Sequence, residues 1–503
     1  MNENLYALFE SRFPADRDAP LLLFADGSRM SYAEAEAGSA RYASLLASRG
    51  LAPGDRVAVQ VEKSPEALLL YLACLRAGLA YLPLNSAYQE GEIGYFLENA
   101  EPGAVIAQPR SQPWLAPLAA RLGIRNVLSL DETGGGSLVD AAREAPARFP
   151  TVPRSGDDLA AILYTSGTTG RSKGAMLTHR NLASNAQVLH AAWGFRPDDV
   201  LIHMLPLFHV HGLFVACHCV LVNGSGMRFH TKFDARRALA EFPESTIFMG
   251  VPTFYTRLLA EPGLDRPSCA HMRLFVSGSA PLLAETHVGF EDRTGHRILE
   301  RYGMTETGML TSNPLRGERR AGSVGPALPG TEVRVMDDDG NGCAPDAIGH
   351  VQVKGSNVFP GYWRMAEKNR EEFTADGFFR TGDMGSLSRD GYLAIVGRSK
   401  DLIITGGYNV YPKEIELALD ELPGVRESAV VGVLHPDFGE AVTAIVVPRA
   451  GQAPPTEAQV IAALKAKLAN FKIPKRVYFV EDLPRNAMGK VQKNVLRDRY
   501  GKG

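Results

Sequence analysis

Tyr164-Thr165-Ser166-Gly167-Thr168-Thr169-Gly170-Arg171-Ser172-Lys173-Gly174 follows directly on the apolar run Leu159-Ala-Ala-Ile-Leu163. A buried strand therefore feeds a loop carrying three glycines, five aliphatic hydroxyls and two cations. Glycines let the backbone approach an anion and turn its N–H groups inward. Hydroxyls donate hydrogen bonds, and Arg171 and Lys173 supply the positive charge that a polyphosphate requires. The loop reads as a phosphate cradle. It is not a Walker A sequence, because Ser172 stands where that motif has the glycine before its lysine. A Gly/Ser/Thr tract is more often a flexible linker, but a linker rarely continues straight from a buried strand.

Upstream of the cradle the pattern is β-α-β. Ser31 with Glu34 makes a capping box opening a helix through Ala47, with Gly50 just beyond. Arg56–Val61 reads as a strand, Ser64-Pro65-Glu66 starts a helix that Gly78 closes, and Ala80–Leu84 returns as a second strand. Such lengths imply a right-handed parallel crossover. Ala104–Ala107 and Val127–Leu130 continue the alternation, and Val200–Leu205, Thr246–Val251 and Arg273–Ser277 resume it after the cradle. Two doubly wound units follow, with a cleft at the C-terminal ends of their strands.

From about Thr331 the rhythm changes to short strands between turns: Glu332–Met336, His350–Val353 and Tyr392–Val396. This predicts a small antiparallel barrel or sheet. Asp337-Asp-Asp-Gly-Asn-Gly342 matches half of a calcium loop, but Ile348 replaces the bidentate glutamate, so a β-turn is expected. The expected class is α/β. A large N-terminal domain spans 1–399, with two doubly wound sheets and a barrel-like part at about 322–398. An α+β domain over 400–503 follows, beginning in Gly397-Arg398-Ser399-Lys400-Asp401.

A chain of 503 residues exceeds a single core. Its net charge of −2, without long single-sign runs, gives no case for nucleic acid as partner. No apolar stretch reaches the ~18 residues of a membrane span, and no signal peptide is legible around Glu3 and Glu10. Five sparse cysteines, an odd number, fit reduced thiols and a cytoplasmic location.

Together, the cradle, Arg301-Tyr-Gly-Met-Thr-Glu-Thr307, Thr381-Gly-Asp383 and Leu483-Pro-Arg-Asn-Ala-Met-Gly-Lys490 resemble the signatures of the acyl-adenylate-forming, AMP-binding superfamily. That superfamily comprises acyl- and aryl-CoA ligases, peptide-synthetase adenylation domains and luciferases. The resemblance implies ATP, Mg2+ and CoA, with an acid converted first to acyl-AMP and then to a thioester. A carboxylate attacking the α-phosphorus of ATP brings two anions together, so the protein must neutralise charge on both reactants and on pyrophosphate.

By that resemblance Thr165, Ser166, Gly167, Thr168, Thr169, Gly170 and Lys173 hold phosphates. Glu306 ligates magnesium with Thr168, and Thr305 contacts the α-phosphate. Ser277, Gly278, Ser279, Ala280, Glu300, Tyr302, Gly303 and Met304 surround the nucleotide, with the Tyr302 ring able to stack on the purine. Asp383 takes the ribose hydroxyls and Arg398 assists. Lys490 is the adenylation lysine on a C-terminal lid that swings about Lys400. Gly406, Gly407 and Tyr408 line the pantetheine channel. An exposed essential lysine could be silenced by acetylation, which makes a lysine acetyltransferase acting on Lys490 a candidate partner.

For the acid, His209 in Leu205-Pro-Leu-Phe-His-Val-His-Gly212 resembles the family's gating residue, and Ser277 adjoins the pocket. Cys217-His218-Cys219 lacks the paired spacing of a zinc cluster. Arg301 is the discriminating residue. Fatty-acyl and aryl ligases usually carry a small residue there, whereas a fixed cation beside the acyl pocket suits a substrate with a second negative charge. Glu300-Arg-Tyr-Gly-Met-Thr-Glu306 resembles the malonyl-CoA synthetases of the superfamily, which implies malonate, with methylmalonate as a further possibility. The competing readings are an Arg301 satisfied by Glu300 or Glu306, a ligase for a monocarboxylic acid, and a free-standing enzyme that loads a carrier protein.

Overall fold

The computed structural model describes residues 2–165, 172–405, 408–435, 438–465, 467–486 and 489–501. They group into two compact units. The first comprises residues 1–321, 325–332 and 354–377, and the second 322–324, 333–353 and 378–503.

Two sheets with mainly parallel strands form the first unit. The six-stranded sheet runs Asn126–Ser129, Ala104–Ala107, Arg56–Gln60, Ala80–Pro83, Leu159–Thr165, Lys173–Thr178, with only the last pair antiparallel. Its helices begin where the sequence places caps. Ser31 and Glu34 form the reciprocal capping box of Tyr32–Ser48, and Ser64 accepts from the Ala67 N–H at the head of Pro65–Arg76. Pro65–Arg76 is buried from Ala67 to Arg76, as befits a helix packed on both sides.

An eight-stranded sheet holds Val200–His203, Gly226–Phe229, Ile247–Gly250, Leu274–Ser277, Leu299–Met304 and Gly308–Ser312, joined at the other edge by Pro20–Leu23 and Arg29–Ser31. The N-terminal strand therefore crosses over to this sheet, with Leu22 opposite Met227. Phe242, Phe248, Tyr255, Phe275 and Phe290 fill one face as an edge-to-face aromatic core.

A four-stranded antiparallel sheet, Thr331–Met336, Ile348–Gly355, Phe379–Leu387 and Leu393–Arg398, provides the expected small β element. Residues 337–342 form a turn, closed by Asp337 N–H to Asn341 O at 2.9 Å. The C-terminal α+β part packs Pro412–Asp420 and Glu457–Lys465 on a five-stranded sheet whose long hairpin is Val425–His435 with Gly439–Pro448. Lys400 lies within the second unit, in the 3-10 turn Ser399–Asp401. No helix among the described residues is long and apolar enough to cross a membrane. All five cysteines are free, and only Cys343 is not buried.

Candidate active site

In the first unit the antiparallel pair at the six-stranded sheet's edge sets Thr165 opposite Lys173 and Tyr164 opposite Gly174. Ser166, Gly167, Thr168, Thr169 and Gly170, expected to hold phosphates, lie outside the described residues, as do Gly406 and Gly407. At the mouth of the cradle Thr165 Oγ1 donates to Glu306 Oε1 at 3.4 Å, and the Tyr362 hydroxyl donates to the same oxygen at 3.0 Å. Lys173 Nζ sits 4.1 Å from the centroid of the Tyr362 ring and pairs with Glu372 at 3.3 Å. Glu306 is buried, and its carbonyl accepts the Phe359 N–H at 2.8 Å. Tyr362 thus joins the cradle's cation to a single buried carboxylate. One carboxylate suits a magnesium ion that takes its other ligands from phosphates and water. No group of three or more His, Cys, Asp or Glu side chains that could hold a metal occurs among the described residues.

The residues expected to face the acid come from adjacent strands. Ser277 lies opposite Glu300 in the parallel pair Leu274–Ser277 and Leu299–Met304. Ser277, Gly278, Glu300 and Arg301 are buried, while Ser279, Ala280, Tyr302, Gly303, Met304, Thr305 and His209 are half-buried. Glu300 Oε1 accepts the Leu282 N–H at 3.2 Å, which ties down the loop after Ser277. Ser279 holds a left-handed backbone, φ +73°, a conformation that costs a non-glycine residue about 1–3 kcal/mol and occurs mostly at functional sites.

Arg301 is 3% exposed, and its Nε and Nη2 find no hydrogen-bond partner among the described residues. The competing expectation, a structural pairing with Glu300 or Glu306, does not match this geometry. Burial pulls the guanidinium down to about 10, with Tyr255 acting in the opposite sense. His211, whose Nδ1 lies 3.2 Å from Ser279 Oγ, is pushed well below the usual imidazole value by burial and then by repulsion from Arg301, His209 and His203. It is therefore neutral at physiological pH. A Cβ on Gly278 would stand 2.4 Å from Arg301 Cζ. Glycine is needed there for close approach, and Gly278→Ala is expected to displace the guanidinium. The check is the KM for the acid, which should rise about tenfold or more while the KM for ATP moves less.

In the second unit Asp383 is buried opposite Arg398, with Arg398 Nε 2.6 Å from Asp383 Oδ1. Thr381 accepts the Asp383 N–H through Oγ1 at 3.1 Å and the Arg398 Nη1–H through its carbonyl at 3.3 Å. Lys490 follows Gly489 in a turn where its N–H donates to Asn486 Oδ1 at 3.0 Å. Its side chain is exposed by area yet crowded by protein. Lost hydration, then repulsion from Arg398 and Lys400 against attraction from Asp383 and Asp401, brings it down to about 8. Tyr408 is 57% exposed, its ring stacked on Phe471 at 4.5 Å.

Tyr362 and Glu372 are site residues that sequence reasoning missed. Neither belongs to a motif singled out there, and only tertiary packing brings them to the cradle.

Comparison with known proteins extends over both units. The AMP-binding enzyme family matches residues 9–363, and the AMP-binding enzyme C-terminal domain matches residues 414–490. A malonate–CoA ligase of Arabidopsis thaliana is 37% identical over 485 residues, 89% of this chain and 78% of the relative. A feruloyl-CoA synthase of an Amycolatopsis species is 35% identical over 479 residues, 94% and 95% respectively. The crystal structure of ATP-bound MatB from Rhodopseudomonas palustris shares the fold with a TM-score of 0.97 and 56% identity, over 100% of this chain and 99% of that one. With both of its family segments matched in order along one chain, this protein belongs to the AMP-binding enzyme family.

Proposed function

We propose that this chain is an ATP-dependent, AMP-forming acid–CoA ligase that converts malonate to malonyl-CoA. Malonate and ATP give malonyl-AMP and pyrophosphate, and CoA then displaces AMP. Identity alone does not separate the acids, since the malonate and feruloyl relatives stand at 37% and 35%. Charge does. Arg301 is a buried cation with unfilled donors and no paired carboxylate among the described residues, a state that costs several kcal/mol unless a bound anion compensates it, roughly 3–5 when a partner is missing. A second carboxylate on the substrate supplies that anion, and a monocarboxylic acid does not.

In this reading Thr165 and Lys173 steady the phosphates, Glu306 holds Mg2+ and Asp383 takes the ribose. Thr305 and Lys490 serve the α-phosphate, His209 flanks the acid, and Lys400 is the hinge. The test is pyrophosphate–ATP exchange over a panel of mono- and dicarboxylic acids, followed by thioester assay with free CoA. Malonate is expected to drive exchange at least about a hundredfold better than acetate or butyrate. Comparable rates with those two would reject the dicarboxylate assignment.

A further inference from the structure

Outside the groups used above, the most constrained cation is Lys63, in the loop after the strand Arg56–Gln60. It is 6% exposed. Its Nζ donates to the His203 carbonyl at 2.9 Å, lies 2.6 Å from His203 Nδ1 and stands 4.3 Å from the centroid of the Phe229 ring. No carboxylate is paired with it among the described residues.

Burial draws the Lys63 ammonium down to about 7, and while charged it only donates, so His203 Nδ1 accepts; the Gly212 carbonyl, itself only an acceptor, likewise calls for the imidazole proton on Nε2. That nitrogen faces the Gly212 carbonyl at 2.9 Å and Cys217 Sγ at 3.3 Å. Burial, then the charge on Lys63, keeps the His203 ring neutral. The relay ends on a backbone packed too closely for any side chain, because a Cβ on Gly212 would meet the Pro206 carbonyl oxygen at 2.0 Å. Gly212 is the second residue of the π-helical stretch His211–Cys217, a widened turn of the kind that recurs at functional sites. The residue before it, His211, contacts Ser279 and feels the charge of Arg301. A side chain at the C-terminal edge of the six-stranded sheet is thereby tied to the acid-facing wall of the other.

We infer that Lys63 is a positioning residue for the acid pocket: seated on the Nδ1 and the carbonyl of His203, it holds the imidazole so that Nε2 reaches Gly212 and anchors the Gly212–His211 turn against Ser279 and Arg301. This rests on the ligase reading for the choice of assay and deepens it.

Two pairs of variants test it in the full-length enzyme, with whichever acid drives exchange best in the panel. Lys63→Met and His203→Leu cut the relay, and each is expected to raise the KM for the acid about tenfold with little change in the KM for ATP. His203→Gln can accept from Lys63 and donate to Gly212, and is expected to stay within about threefold of the parent. Equal rises in both KM values, or no difference between His203→Gln and His203→Leu, would overturn the assignment. Histidine 15N signals read the relay without turnover, His203 being identified by its loss in His203→Gln. Nδ1 of His203 should resonate as a hydrogen-bonded acceptor in the parent and shift toward the position of a free unprotonated nitrogen in Lys63→Met. An unchanged Nδ1 signal in Lys63→Met refutes the relay, whereas a panel in which no acid works refutes the ligase reading while the Nδ1 signal still decides the relay.

Discussion

Replacing Lys490 with alanine is expected to lower acyl-AMP formation by about 10²- to 10³-fold or more, the usual loss when one fixed charge aimed at a developing anion is removed. The second half-reaction, thioester formation from supplied acyl-AMP, should survive, because no charge then builds on the α-phosphorus against an incoming carboxylate. Single-turnover assays of the two steps separate these outcomes, and equal loss in both would reject the division of labour. The same lysine gives a pH signature. Lost hydration first, then Arg398 and Lys400 set against Asp383 and Asp401, bring it down to about 8, so its charge fades as the pH rises through that region. The adenylation rate should fall as pH rises through about 8 in the parent. In Lys490→Ala that alkaline limb should vanish along with most of the rate. Acetylation of the exposed amine would remove the same charge and should reproduce the alanine phenotype.

Local signals in the sequence translated well into structure. Ser31 and Glu34, Ser64 and Pro65, and the run Ala104–Ala107 act within a few residues of themselves, so a cap or a fully buried strand is readable without the rest of the chain. What stayed hidden is long-range. Nothing near Leu22 announces its pairing with Met227, some two hundred residues away, because a parallel edge partner is chosen by sheet geometry and not by local pattern. The π-helical stretch His211–Cys217 reads as an ordinary apolar helix in the sequence, and the close approach of Gly212 to the Pro206 carbonyl within it is a tertiary contact that no local pattern announces. The site divides in the same way. Glu306, Asp383 and Lys490 carry motifs, whereas Tyr362, which holds Glu306 and Lys173 together, is an aromatic residue like any other until the fold places it. Arg301 was legible as a charge, but only its burial and its unpartnered Nε and Nη2 show that no carboxylate among the described residues answers it.

That unanswered charge makes Arg301→Met a test whose two results point in opposite directions. With the anion absent, the parent buries a guanidinium whose Nε and Nη2 lack partners, and exchange of a buried ionic group for an apolar one of similar length is often neutral or stabilising by about 1–4 kcal/mol. The free variant should therefore melt at or above the temperature of the parent. With malonate present the order should reverse. The parent gains stability by mass action, about 2.7 kcal/mol at a hundred times Kd, and the variant gains little because the non-reacting carboxylate has lost its partner. Activity should follow the ligand. kcat/KM for malonate is expected to drop by about two to three and a half orders of magnitude, the equivalent of roughly 3–5 kcal/mol for an ion pair broken in a dry site, while the weak rates with acetate and butyrate should hold or rise. A general loss across all acids, with a lower melting temperature in the free protein, would instead mark Arg301 as a structural cation and return the acid's identity to the monocarboxylic alternatives.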